Sequence, residues 1–183
     1  ESADGTSIAW QESGARRRVL LVHSFPDASM WRLVLPYLPD EVGAVWFDRR
    51  GRGGSGRGED YADFSAEVDD VLAVAALLEP DAVLVGHSIG AVIALETLRR
   101  DTTPFAGAVL YEPPLPIDDS PTPGRAEMLT ALDEGRHEDA VEAWARKSVR
   151  LPEPAIEAFK ASPAWPRAVD AIWTMRREGE ALR

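Results

Sequence analysis

The sequence contains no cysteine. Disulfides, thiolate metal sites and a cysteine nucleophile are thereby excluded. Basic charge is in short supply: 20 Lys and Arg against 31 Asp and Glu give a formal charge of −11. That balance disfavours nucleic acid as a partner. Histidine is scarce too, with 3 in 183 residues, so chemistry that needs an imidazole has few candidates. No apolar run is long enough for a membrane span, and no signal-peptide pattern opens the sequence. The expectation is a cytoplasmic protein that is not held at a membrane. What is present, 45% hydrophobic and 28% charged residues, suits one globular domain with a real core.

The most informative stretch runs from Asp81 to Leu95. Ala82 to Val85 is a short apolar run, read as a buried strand. It meets Gly86-His87-Ser88-Ile89-Gly90, and a helical pattern follows from Ile89 to about Arg100. A strand, a tight turn and a helix joined at a serine form the context of a nucleophile elbow. The turn forces the serine into a strained backbone conformation with its hydroxyl clear of the sheet. Glycines flank it because side chains there would collide where strand and helix cross. The helix N-terminus directs free N–H groups at the centre and favours negative charge. A serine opening a helix is often only a cap. The flanking strand and helix favour the nucleophile.

Elsewhere, apolar runs alternate with helical spacing. Gly5 to Trp10 is read as an edge strand and Ser13-Gly14 as a turn; Arg16 to Arg18 is a solvated lead-in. Val19 to Val22 suits a strand buried on both faces. Trp31 to Leu38 has helical spacing, and Ala44 to Asp48 is the next strand. Ser65 opens a helix carrying Val68, Val71, Leu72, Ala75 and Leu78, stopped by Pro80. Phe105 to Tyr111 is the last clear strand. This alternation predicts an α/β fold with a doubly wound, mainly parallel sheet. From Glu112 a proline-rich connection runs through Asp118 to Gly124. Only helical patterns follow, over 125–134, 138–149, 154–161 and 166–182. Gly51 to Gly56 satisfies G-x-G-x-x-G, but the next helix starts only near Ser65, so a dinucleotide site is not expected.

Three segments carry a resemblance: His23-Ser24-Phe25-Pro26, Asp48-Arg49-Arg50-Gly51-Arg52-Gly53-Gly54-Ser55, and Gly86 to Gly90. Together they resemble the α/β-hydrolase family. The resemblance implies a partial core over 1–113 and a helical cap over 114–183. It implies Ser88 as nucleophile and an oxyanion hole from the backbone N–H groups of Phe25 and Ile89. Ser24 departs from the pattern, standing where glycine is usual. The family's chain order is nucleophile, acid, histidine. The strands that carry the last two are not found before Arg183, so the chain reads as C-terminally incomplete. His23 is read as structural, His87 as directed away from Ser88, and His137 as a surface residue. Glu112 is left without a role.

The implied function is serine-dependent hydrolysis of an ester or other acyl bond in a small molecule, with no cofactor and no metal. A serine rather than an aspartate at the elbow argues against dehalogenase and epoxide-hydrolase chemistry. The alternatives are a non-catalytic fragment acting by association and a cofactor-free haloperoxidase-like enzyme. Residues 105–111 carry no charge and no proline. An open edge there would favour self-association.

Overall fold

Four of the apolar runs become parallel strands of one sheet in the computed structural model, which describes residues 1–14, 16–58, 63–115 and 122–182. They are β2 (Arg17–Val22), β3 (Gly43–Phe47), β4 (Ala82–His87) and β5 (Phe105–Tyr111). β1 (Trp10–Ser13) runs antiparallel against β3, and the order is β1-β3-β2-β4-β5. Successive side chains of a strand face opposite ways. Leu20 and Val22 therefore join Val71, Val74, Val92 and Ile93 on one face, where the helices α1 (Ser65–Ala75) and α2 (Ile89–Arg100) pack. Leu21 joins Ala28, Trp31, Ala44 and Trp46 on the other.

Local chemistry moved several boundaries. The edge strand expected at Gly5 to Trp10 lies at Trp10–Ser13 instead. The loop after β3 takes the earlier backbone groups: Gly56 N–H donates to Ser7 C=O at 2.8 Å and Ala9 N–H to Ser55 Oγ at 2.9 Å. The expected helix at Trp31 to Leu38 is two 3-10 helices, Ala28–Leu33 and Leu35–Tyr37. Pro36 has no N–H to give a longer helix. α1 ends at Ala75 rather than Leu78; the N–H groups of Leu77 and Leu78 reach back only three residues, to Val74 and Ala75.

Residues 116–121, part of the proline-rich connection, lie outside the described residues, as do Glu59 and Asp60. Beyond them come α3 (Arg125–Asp133), α4 (His137–Ala143), a π-helical turn (Trp144–Ser148) and α5 (Glu153–Lys160). The single helix expected over 166–182 is two, α6 (Ala164–Ala171) and α7 (Thr174–Ala181). At the break, the Thr174 hydroxyl donates to Ala171 C=O at 2.7 Å, competing with the backbone ladder. α3, α4 and α6 build their own core around Met128, Val141 and Ala168, and Phe25 from the strand layer is part of it.

The crossing of α2 over the sheet is as close as the elbow pattern demands. A Cβ on Gly90 would lie 2.3 Å from Val22 O, and one on Gly86 would lie 2.5 Å from Ala91 Cα. Gly90→Ala should therefore cost roughly 1–3 kcal/mol through forced backbone displacement. Gly107→Ala, with nothing within 4 Å of the added carbon, should be nearly neutral. Urea denaturation of the two variants checks this contrast.

Candidate active site

Ser88 joins β4 to α2 with φ 52° and ψ −122°. That region is costly for a side chain bearing a Cβ and persists only where the surroundings enforce it. Here Ser88 N–H donates to Tyr111 C=O at 2.8 Å, while Ser88 C=O accepts from Ala91 N–H at 2.8 Å. Its hydroxyl makes no capping hydrogen bond, so the simple cap reading of this serine fails.

Ser88 opens onto a cavity of about 250 Å³. Ser24, Phe25 and Ile89 line it from the strand layer; Arg125, Met128, Trp144, Met175 and Glu178 line it from the helices. Two larger hollows, about 470 and 480 Å³, are lined by side chains such as Arg136, Asp139, Glu96 and Arg99, and neither contains Ser88. Chemistry, not size, selects the smaller one. Ile89 is the first residue of α2, where N–H groups have no partner within the helix.

The Phe25 loop is gripped from both layers. The ring of Phe25 meets Trp144 edge-on at 4.7 Å between centroids. Asp27 Oδ1 accepts from Ser29 N–H at 2.8 Å, and its other oxygen accepts from Arg167 Nε of α6. Arg167 also donates to Ser29 Oγ at 3.1 Å. The strand-layer loop and the helices are thus fastened together beside the cavity.

The histidines stand apart from Ser88's cavity. His23 is fully buried. Its Nε2 accepts from Arg49 N–H at 2.9 Å, which leaves its Nδ1–H to donate to Ser24 C=O. Burial, with Arg49 and Arg52 nearby, pushes its pKa well below 6.5, so it is a neutral structural residue. His87 stacks on Tyr111 at 5.5 Å, and burial lowers its pKa against the opposing pull of Glu112. His137 begins α4. No histidine is among the residues lining the cavity. Among the described residues no cluster of His, Cys, Asp or Glu could hold a metal ion.

Sequence reasoning missed Glu178 and the arginines that hold it. Arg49 Nη2 donates to Glu67 at 2.8 and 2.9 Å and to Glu178 at 2.7 Å. Arg52 donates to Thr174 Oγ1 at 2.7 Å and to Glu178. All four charged side chains are buried. Burial opposes ionisation of Glu178, but the Arg52 and Arg49 guanidiniums outweigh it and hold the carboxyl below its ordinary value. In the Asp48–Ser55 segment the glycines are the local pattern; Glu178, which Arg49 and Arg52 hold, lies more than a hundred residues away, beyond any such pattern.

A sequence model described as "Alpha/beta hydrolase family" matches residues 19–182. Among solved structures, an alpha/beta hydrolase from Sphaerobacter thermophilus DSM 20745 is 28% identical with a TM-score of 0.85, covering 99% of this chain and 72% of that one. An esterase from Exiguobacterium antarcticum is 20% identical with a TM-score of 0.74, covering 100% of this chain and 72% of its own. The enol-lactonase from Burkholderia xenovorans LB400 is 17% identical with a TM-score of 0.71, covering 98% and 69%.

Because the folded pKa of His23 lies below 6.5, the unfolded chain binds that proton more readily. Its contribution to stability is complete above pH 6.5 and is lost as pH falls through the window below it. The urea midpoint should therefore drop between about pH 7.5 and about pH 5.5, and the slope should be shallower in His23→Gln. A midpoint independent of pH would contradict the neutral, buried assignment.

Proposed function

The chain belongs to the alpha/beta hydrolase family, and from that premise we propose that it is a serine-dependent hydrolase of a small ester or other acyl compound. One observation carries the reading: Ser88, left-handed and free of any capping duty, shares a cavity with Phe25 and Ile89. In the proposed chemistry, Ser88 Oγ attacks the acyl carbon and the carbonyl oxygen gains negative charge. The N–H groups of Phe25 and Ile89 receive that charge, aided by the α2 N-terminus. The alcohol or amine leaves with the proton that Ser88 Oγ gives up, and water then cleaves the acyl-serine ester, returning a proton to Oγ and releasing the acid. Residues 114–183 act as a cap that covers the reacting centre. The acid and base are assigned to no residue of this chain.

Without an assigned base, turnover should be slow, on the order of 10³-fold over water, the level an oxyanion hole and binding sustain without a complete triad. An activated aryl acetate should leave an acetyl group on the Ser88 peptide, detectable by mass spectrometry after hours at mildly alkaline pH. Acetylation that never appears on Ser88 would refute the nucleophile assignment.

A second reading concerns association. Among the described residues β5 pairs only with β4, and Val109 and Tyr111 are 53% and 59% exposed. An uncharged open strand edge is a template for another chain. We propose that two copies pair along β5. Light scattering should then show a dimer or larger species, and Val109→Lys should return it to monomer. A wild-type monomer at all concentrations would overturn this.

A further inference from the structure

Four described residues other than glycine have positive φ: Asp81, Ser88, Glu112 and Arg150. Two of them stand side by side. β4 and β5 pair in parallel, and His87 lies opposite Tyr111 in the last rung. The next residue on each strand is Ser88, with φ 52°, and Glu112, with φ 50°. One hydrogen bond links the two strand ends, from Ser88 N–H to Tyr111 C=O at 2.8 Å. The rings of His87 and Tyr111 stack beside it, 5.5 Å apart.

A positive φ is uncommon for a residue with a Cβ and persists only where the surroundings hold it. At Ser88 the close crossing of α2 does so. Glu112 is exposed at the end of β5, and its conformation bears on Ser88 through one peptide unit. The planar peptide between Tyr111 and Glu112 turns as a single body. Its orientation follows ψ of Tyr111 and φ of Glu112. Pro113 disfavours the right-handed helical alternative for Glu112, which leaves extended backbone. A change from positive to extended φ turns that plane nearly over and takes the Tyr111 oxygen off Ser88 N–H. Pro114, two residues on, lines the cavity itself.

We propose that Glu112 is a positioning residue. Its backbone conformation, not its carboxylate, holds the Tyr111 carbonyl on Ser88 N–H and thereby the Ser88 hydroxyl at the cavity. The catalytic use of this hold rests on the reading of Ser88 as nucleophile; the hold itself does not.

Two readouts test it: acetylation of Ser88 by an activated aryl acetate, with release of the phenol, and hydrogen exchange at the Ser88 amide followed by NMR. Glu112→Gly removes the carboxylate and adopts positive φ freely, so it should keep the parent's acetylation rate and amide protection. Glu112→Asn, also tolerant of that region, should match it. Glu112→Val is branched at Cβ and strongly disfavoured there. Its acetylation should slow at least about tenfold, within the roughly 10²-fold that a misplaced group can cost. Its Ser88 amide should exchange at least about tenfold faster through easier local opening. Should Glu112→Val fail to fold by circular dichroism, Glu112→Ala takes its place, with a smaller slowing of the same sign. Glu112→Gly as slow as Glu112→Val would give the role to the carboxylate and overturn the proposal; parent behaviour in the valine or alanine chain would overturn it outright. Exchange that follows this series, with no acetylation even in the parent, keeps the hold on the turn and removes the nucleophile. Acetylation that ignores the series does the reverse.

Discussion

The fold turns on how near one helix can come to one strand. α2 crosses the sheet so closely at Gly86 and Gly90 that a single added carbon would overlap backbone atoms of β2 or of α2 itself. That approach leaves the connecting residue no relaxed conformation, and Ser88 takes φ 52° as a result. The strain is held by packing around it: Val92, Ile93 and Ala94 anchor α2 on Leu20, Val22 and Leu84. A serine on a looser turn would relax and cap its helix. Here the geometry withholds the hydroxyl from that local bond and leaves it at the cavity.

The second organising feature is electrostatic. Arg49, Arg52, Glu67 and Glu178 are removed from water together. Such clusters contribute little net stability, because desolvation offsets most of the mutual attraction. Breaking one is another matter: a partner left behind is a buried, uncompensated charge, which costs about 3–5 kcal/mol. The cluster therefore fixes register more than it adds stability. α7 can dock in only one place, with Thr174 and Glu178 on the arginines. Ala181 and Leu182 then fall against the sheet core.

The sheet was legible in the sequence because parallel strands buried on both faces read as unbroken apolar runs. Val19 to Val22 and Ala82 to Val85 do so; Phe105 to Tyr111 reads the same way although most of it is exposed. The strained turn at Ser88 was legible because its motif depends on local sterics, confined to five residues. The 3-10 turns around Pro36 were missed because helical spacing of Trp31, Val34 and Leu38 says nothing about available donors. The break before α7 was missed because a threonine hydroxyl, not a glycine or proline, competes for the carbonyl. Glu178 was missed for a different reason. A charged residue in an amphipathic helix looks solvated until the fold brings a distant guanidinium against it.

Phe25 has its backbone in the strand-layer loop and its ring in the core of the helices. Lifting the helices would expose that ring and Trp144 together and part Arg167 from Asp27 at the same moment. The two layers are riveted rather than hinged. What can adjust at the cavity without moving a helix is its side chains. Met128 and Met175, unbranched and rotatable, stand at its wall. A wall carrying unbranched thioethers can change its outline by side-chain rotation alone, with the helices left where they are.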